Sequence, residues 1–187
     1  MGRQYEKNYG INPMWILHNS ASVHQSFANF NIKKDAKDIR TYDFTTLYTS
    51  IPHRQLRKEL RWAIKEAFKS SKRSFISVYK HNASWTNSPG KDTEHLDCNK
   101  VMRLMNWLLD NIYTFGDQVF PQVIGIPMGT DCAPFLANLF LYSYEYKWIA
   151  KQKELNNWHV LKHFRTCSRY IDDLLMINNA DLMKKYI

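Results

Sequence analysis

The chain is short of cysteine, short of acidic residues relative to basic ones, and lacks any long apolar run. Its three cysteines, Cys98, Cys132 and Cys167, are scattered and form no C-x-x-C pair. That excludes a disulfide framework and points to a reducing, intracellular compartment. No stretch is apolar for long enough to cross a bilayer as a helix, and no signal peptide is recognisable, so no membrane partner is expected. The apolar segment from Ala133 to Tyr142 is too short to span and reads as a buried helix. Internal repeats and low-complexity tracts are missing as well. Asp and Glu total 17 against 26 Lys and Arg, a net charge of +9. That imbalance suits a polyanionic partner, because each neutralised phosphate releases condensed counterions. It equally suits an anionic lipid face or a merely soluble basic protein, and charge alone does not choose.

What remains is ample for a folded unit. The 187 residues are 44% hydrophobic and 14% aromatic, enough for one packed domain and part of a second. Residues 1–40 are weakly patterned: Asn8, Gly10, Asn12 and Pro13 suggest loop, and Lys33, Lys34, Lys37 and Arg40 a solvated run. A short strand is predicted from Thr41 to Phe44. After Pro52, the spacing of Leu56, Leu60, Ile64 and Phe68 predicts a helix with a basic flank of Arg57, Lys58, Arg61 and Lys65. Phe75 to Tyr79 reads as a strand and Asn82 to Asp92 as loop. The stripe Val101, Leu104, Met105, Leu108, Leu109 and Ile112 predicts a second helix near 98–112. Tyr113 to Val123 reads as a hairpin turned at Gly116-Asp117. Asp131 and Pro134 open a third helix running to about Lys153, proline being comfortable in a first turn. Asp181 to Ile187 begins a further helix.

The most unusual local feature is Asp172-Asp173, an acidic pair between the apolar runs Tyr170-Ile171 and Leu174-Leu175-Met176-Ile177. That pattern predicts strand, tight turn, strand. An unpaired carboxylate avoids apolar surroundings unless a cation accompanies it. An acidic pair is also an ordinary turn former, since Asp favours turn geometry. Asp43 ends another short strand, and alone it reads as a turn or helix-capping residue. Three carboxylates converging from adjacent strands would repel strongly unless divalent cations sat among them, and their hard oxygens suit Mg²⁺.

These residues fall into a familiar order. Asp43-Phe44-Thr45-Thr46-Leu47-Tyr48, Gly125-Ile126-Pro127-Met128-Gly129-Thr130-Asp131-Cys132-Ala133-Pro134 and Tyr170-Ile171-Asp172-Asp173 resemble motifs A, B and C of reverse transcriptases. The flanking phrases, Leu47 through Pro52 and Ala133 through Leu139, are most similar to Penelope-like retroelement polymerases. The resemblance covers about Thr41 to Asn178. It implies an α+β polymerase palm over 41–187, incomplete at its C-terminus. The palm would be a small antiparallel β-sheet backed by the helices near 98–112 and 133–153, with partial fingers and no thumb. Residues 1–40 would be a remnant of fingers or a lead-in.

The resemblance also implies chemistry. Asp43, Asp172 and Asp173 would be catalytic and would hold two Mg²⁺ ions, Mn²⁺ being an alternative, with the backbone carbonyl of Phe44 helping. Asp172 would be the main ligand of its pair. The reaction would be RNA-directed DNA polymerisation, with an RNA template, a DNA primer and deoxynucleoside triphosphates as partners. Tyr48, five residues after Asp43, stands where such enzymes carry an aromatic steric gate against a 2′-hydroxyl. A core tyrosine at a strand-to-helix corner is the plainer reading. Met128, Gly129 and Pro134 would line the nucleotide, although Met128 replaces a glutamine that many relatives have. Arg54, Arg57, Lys58, Arg61 and Lys65 would grip backbone phosphates, or simply be solvated. A nuclear location would follow.

The chain ends fourteen residues after Asp173, and no GIY-YIG nuclease is visible. A fragment or decayed copy of an element is therefore expected. The alternative function is a catalytically inactive nucleic-acid-binding or assembly module derived from such an element. A zinc site at His159, His163 and Cys167 is a third reading, weakened by the lack of a fourth ligand.

Overall fold

Apolar residues at helical spacing after Pro52 bury one side of a long helix, and that burial organises half of the molecule. The computed structural model describes residues 37–90, 93–115, 117–163 and 167–178, with 23, 24 and 28. They divide into two units. One comprises Tyr48–Ser143; the other gathers the described chain through Leu47 with that from Tyr144 onward. A short helix, α1 (Leu47–Ser50), precedes Pro52.

In the first unit, α2 (His53–Ser71) buries Leu56, Leu60 and Ala63. It stops at Lys72, which takes a left-handed conformation and donates its N–H to the Lys69 carbonyl. Helix α3 (Cys98–Asp110) starts where the Asp97 carboxylate accepts the Lys100 N–H at 2.7 Å, satisfying one orphan donor of the first turn. It packs on α2. Arg57 ties the two helices: its guanidinium reaches the Asn106 carbonyl and side-chain oxygen at 3.3 Å and the Asp110 carboxylate at 2.6 Å.

Three antiparallel strands complete this packing: β2 (Phe75–Val78), β3 (Ala83–Thr86) and β4 (Glu94–Asp97), in the order β3-β2-β4. Here the expected loop from Asn82 to Asp92 is corrected, because Ala83–Thr86 is a strand. Its alternation, Ala83-Ser84-Trp85-Thr86, is only four residues long and sits among polar loop residues. It is held by the ladder with β2, by the Tyr79 N–H donating to the Asn82 carbonyl, and by Trp85, whose ring meets Phe68 edge-on at 4.8 Å. The sequence pattern does not predict β4 either. The expected hairpin is β5 (Tyr113–Phe115) with β6 (Val119–Pro121), while Gly116 of its turn lies outside the described residues. Helix α4 (Ala133–Glu154) follows, with Pro134 in its first turn.

The second unit holds another antiparallel sheet, built from β1 (Ile39–Asp43), β7 (Cys167–Tyr170) and β8 (Asp173–Ile177) in the order β1-β8-β7. Cys167, Leu174 and Met176 cluster with Tyr42 on one face. Ile149 of α4 packs with Leu161 of α5 (Trp158–His163) and with Trp148. Asn178 closes the far end of β1 and β8. Its side-chain oxygen accepts the Lys37 and Asp38 N–H groups, and its own N–H donates to the Asp38 carbonyl. The expected helix at Asp181–Ile187 and most of residues 1–40 lie outside the described residues. No described helix is long and apolar enough to cross a membrane.

Candidate functional site

The acids come together at one end of the β1-β8-β7 sheet. Strand β1 runs antiparallel to β8 so that Asp43 pairs with Asp173 and Ile39 with Ile177. Directly opposite residues of an antiparallel ladder point to the same face, with Cβ atoms about 4.5–5.5 Å apart. Asp43 and Asp173 are both exposed there, and Asp172 is half-buried. Strands β7 and β8 are joined by the two-residue turn Ile171-Asp172, flanked by the pair Tyr170 and Asp173. The turn reaches β1 as well: the Phe44 N–H donates to the Asp172 carbonyl at 3.1 Å.

Two β-branched residues with positive φ flank these acids, Thr46 at 63° and Ile171 at 55°. That region is costly for branched side chains, and such strain persists only where the surroundings over-determine it. At Ile171 the surroundings are Arg169, which is fully buried. Its Nη1 donates to the Ile171 carbonyl at 2.7 Å, while Nε and Nη2 hold both oxygens of Glu145 at 2.7 and 3.1 Å.

The donors available at this end are carboxylate oxygens and backbone carbonyls, the set that hard divalent cations prefer. The Phe44 carbonyl accepts the Leu47 N–H at 3.1 Å and keeps a second lone pair. As the side chains stand, no three His, Cys, Asp or Glu residues form a ready metal cluster among the described residues. Asp173, rather than Asp172, is the direct partner of Asp43. Cys167 lies in the apolar cluster under the sheet, and His159 is exposed on α5.

The second group of candidate residues belongs to the first unit. The loop at Gly125 is stitched to the segment after α1: the Ile126 N–H donates to the Tyr48 carbonyl at 2.6 Å and the Gly125 N–H to the Ile51 carbonyl at 2.8 Å. Gly125 has φ +87°, and a Cβ there would stand 3.0 Å from the Tyr48 carbonyl oxygen and 3.1 Å from that of Thr49. Glycine is therefore required by both conformation and space. Tyr48 itself is half-buried, Pro134 is half-buried, and Met128 and Gly129 are exposed.

The motifs do not reveal His53. It is 5% exposed, its backbone N–H donates to the Val123 carbonyl at 3.0 Å, and its Nε2 lies 2.6 Å from the Gly125 carbonyl. A carbonyl oxygen only accepts, so Nε2 carries the proton. No local signal marks this residue, whose partner is 72 positions away. Nor does any motif mark the pairing of Arg169 with Glu145. On α2, Arg54, Lys58, Arg61 and Lys65 are exposed along the outer side, whereas Arg57 is engaged with α3.

No protein-family model matches the sequence, and no curated protein does. Solved structures do resemble it. Telomerase from Candida albicans, in complex with the TWJ fragment of telomeric RNA, superposes with a TM-score of 0.63 at 11% identity over 97% of this chain. Apo telomerase from Candida tropicalis, truncated from its C-terminal domain, gives a TM-score of 0.55 at 13% identity over 91%. The chain spans 30% and 31% of those two chains. The fold is like that part of these telomerases, a mixture of helices and antiparallel sheet.

Proposed function

We propose that this chain is the palm of a reverse transcriptase of a Penelope-like retroelement, a part of an enzyme that extends a DNA primer on an RNA template. The observation that carries the reading is the register placing Asp43 opposite Asp173, with Asp172 in the adjoining turn and hydrogen-bonded through its carbonyl to Phe44. Exposed like charges directly across a ladder are locally unfavourable. A sequence that keeps them there, beside a strained turn, has a use for them. The telomerase likeness supports the polymerase class, and the RNA seen with the Candida albicans enzyme supports an RNA partner. The motif order and the phrases around it support the retroelement assignment.

In this reading Asp43, Asp172, Asp173 and the Phe44 carbonyl would hold the divalent ions. Such ions would supply charge stabilisation for a phosphoryl transfer. The chain's own residues set the stage. The β1–β8 ladder fixes the spacing of the carboxylates. By its place five residues after Asp43, Tyr48 would supply the steric gate against a 2′-hydroxyl, and its carbonyl accepts the Ile126 N–H. The outer side of α2 supplies cations for backbone phosphates.

The test is extension of a DNA primer annealed to an RNA template, with Mg²⁺ and deoxynucleotides. Extension that is lost in Asp172→Asn supports the polymerase. Template binding without extension, unchanged in Asp172→Asn, supports the inactive binding module instead.

A further inference from the structure

We infer that Arg169 is a positioning residue for the acid-bearing turn, acting as a buried strut between Glu145 of α4 and the Ile171 carbonyl. The inference rests on the acids at that turn being the functional ones.

A guanidinium that is fully out of water is costly unless its donors are used, and this one uses Nε and Nη2 on a single carboxylate. A bidentate pair of that kind is rigid and planar. Once Glu145 fixes the plane of the fork, Nη1 points in one direction, and it holds the Ile171 carbonyl at 2.7 Å. Ile171 is the residue with φ +55°, a conformation that a branched side chain does not keep unaided. The next carbonyl along, that of Asp172, accepts the Phe44 N–H. Asp173 follows, directly across from Asp43. A single rigid group thus connects a long helix to the residue that sets where both acids of the turn stand. An ion pair kept only for stability would serve as well if its spare donor met any acceptor; here that donor meets the strained residue.

The test uses the whole chain with Mn²⁺ as probe. The double variant Arg169→Met/Glu145→Met removes the strut and leaves no buried charge, a replacement often neutral for folding. Its expected behaviour is a melting temperature close to that of the parent, faster amide exchange at Phe44, and Mn²⁺ affinity lower by about tenfold or more, as for other groups that orient metal ligands. Should that variant fail to fold, Arg169→Lys keeps a charge for Glu145 but has no fork, and the same exchange and affinity changes are expected of it. A folded variant with parental Phe44 protection and parental Mn²⁺ affinity would overturn the role of Arg169. Failure of the functional reading looks different: the parent and Asp43→Asn would then bind Mn²⁺ alike, and Phe44 exchange alone would decide whether Arg169 holds the turn.

Discussion

Asp43 and Asp173 stand directly opposite each other in the antiparallel ladder of β1 and β8, both exposed. Two carboxylates so placed repel. If the proposed function holds, the relationship separates stability from function, because the substitution that calms the sheet should also weaken metal binding.

Asp43→Asn is therefore expected to stabilise the chain by about 0.2–1 kcal/mol at low ionic strength. The gain should shrink as salt screens the pair. Added Mg²⁺ should raise the melting temperature of the parent and leave that of Asp43→Asn unmoved, since a ligand stabilises only the form that binds it. Thermal melts with and without Mg²⁺ check both halves.

Gly125→Ala should cost about 1–3 kcal/mol, because alanine at positive φ is strained and its Cβ meets two backbone carbonyls. Gly129→Ala makes the contrast: nothing lies within 4 Å of a Cβ there, and a stability change within about 0.5 kcal/mol is expected. Urea unfolding of the two variants side by side measures the difference. Equal effects would show that the Gly125 loop is not held as described.

His53→Ala should also destabilise, by about 1–3 kcal/mol, by leaving the Gly125 carbonyl without its donor in a buried position. The double variant with Gly125→Ala should lose less than the sum, since both act on one stitch between the loop and the Tyr48–Ile51 segment. A double-mutant cycle reads that coupling.

The basic residues of α2 should divide into two behaviours. Removing Arg54, Lys58, Arg61 or Lys65 should weaken template–primer binding and lower its salt slope by about one for each phosphate no longer neutralised. Arg57→Ala should leave that slope unchanged and destabilise the fold, because its guanidinium ties α2 to Asn106 and Asp110. Binding isotherms at several salt concentrations separate the two classes.

Lys153 gives a pH signature. Burial lowers its pKa from the usual 10.5, although its ammonium also lies 5.9 Å from the Trp158 ring centre. The folded chain thus holds this proton less readily than the unfolded chain. The penalty is present in full below the folded pKa and fades as pH rises towards 10.5. Lys153→Met should melt higher than the parent near neutral pH, with the advantage shrinking as pH approaches 10.5.

Local pattern is enough to foresee much of this molecule. The apolar stripes of α2 and α3, Pro134 in the first turn of α4, and a strand–turn–strand at the acidic pair all rest on neighbours within a few turns of chain, although the turn itself falls one residue earlier, at Ile171-Asp172, with Asp173 opening β8. Side-chain periodicity and turn chemistry act over that range, so those elements are legible, as is the order of the motifs. Tertiary structure decided the rest. Strand β3 carries only a four-residue alternation, too short to mark it locally, and is held by the ladder with β2 and by Trp85 against Phe68. Arg57 is drawn from solvent by partners 49 or more residues away, His53 by one 72 away, and Arg169 by one 24 away. Which acid faces Asp43 is likewise set by the register of two strands more than a hundred residues apart in sequence. Such pairings are chosen by which interactions repay the ordering of the chain between them, and no local window of sequence carries that balance.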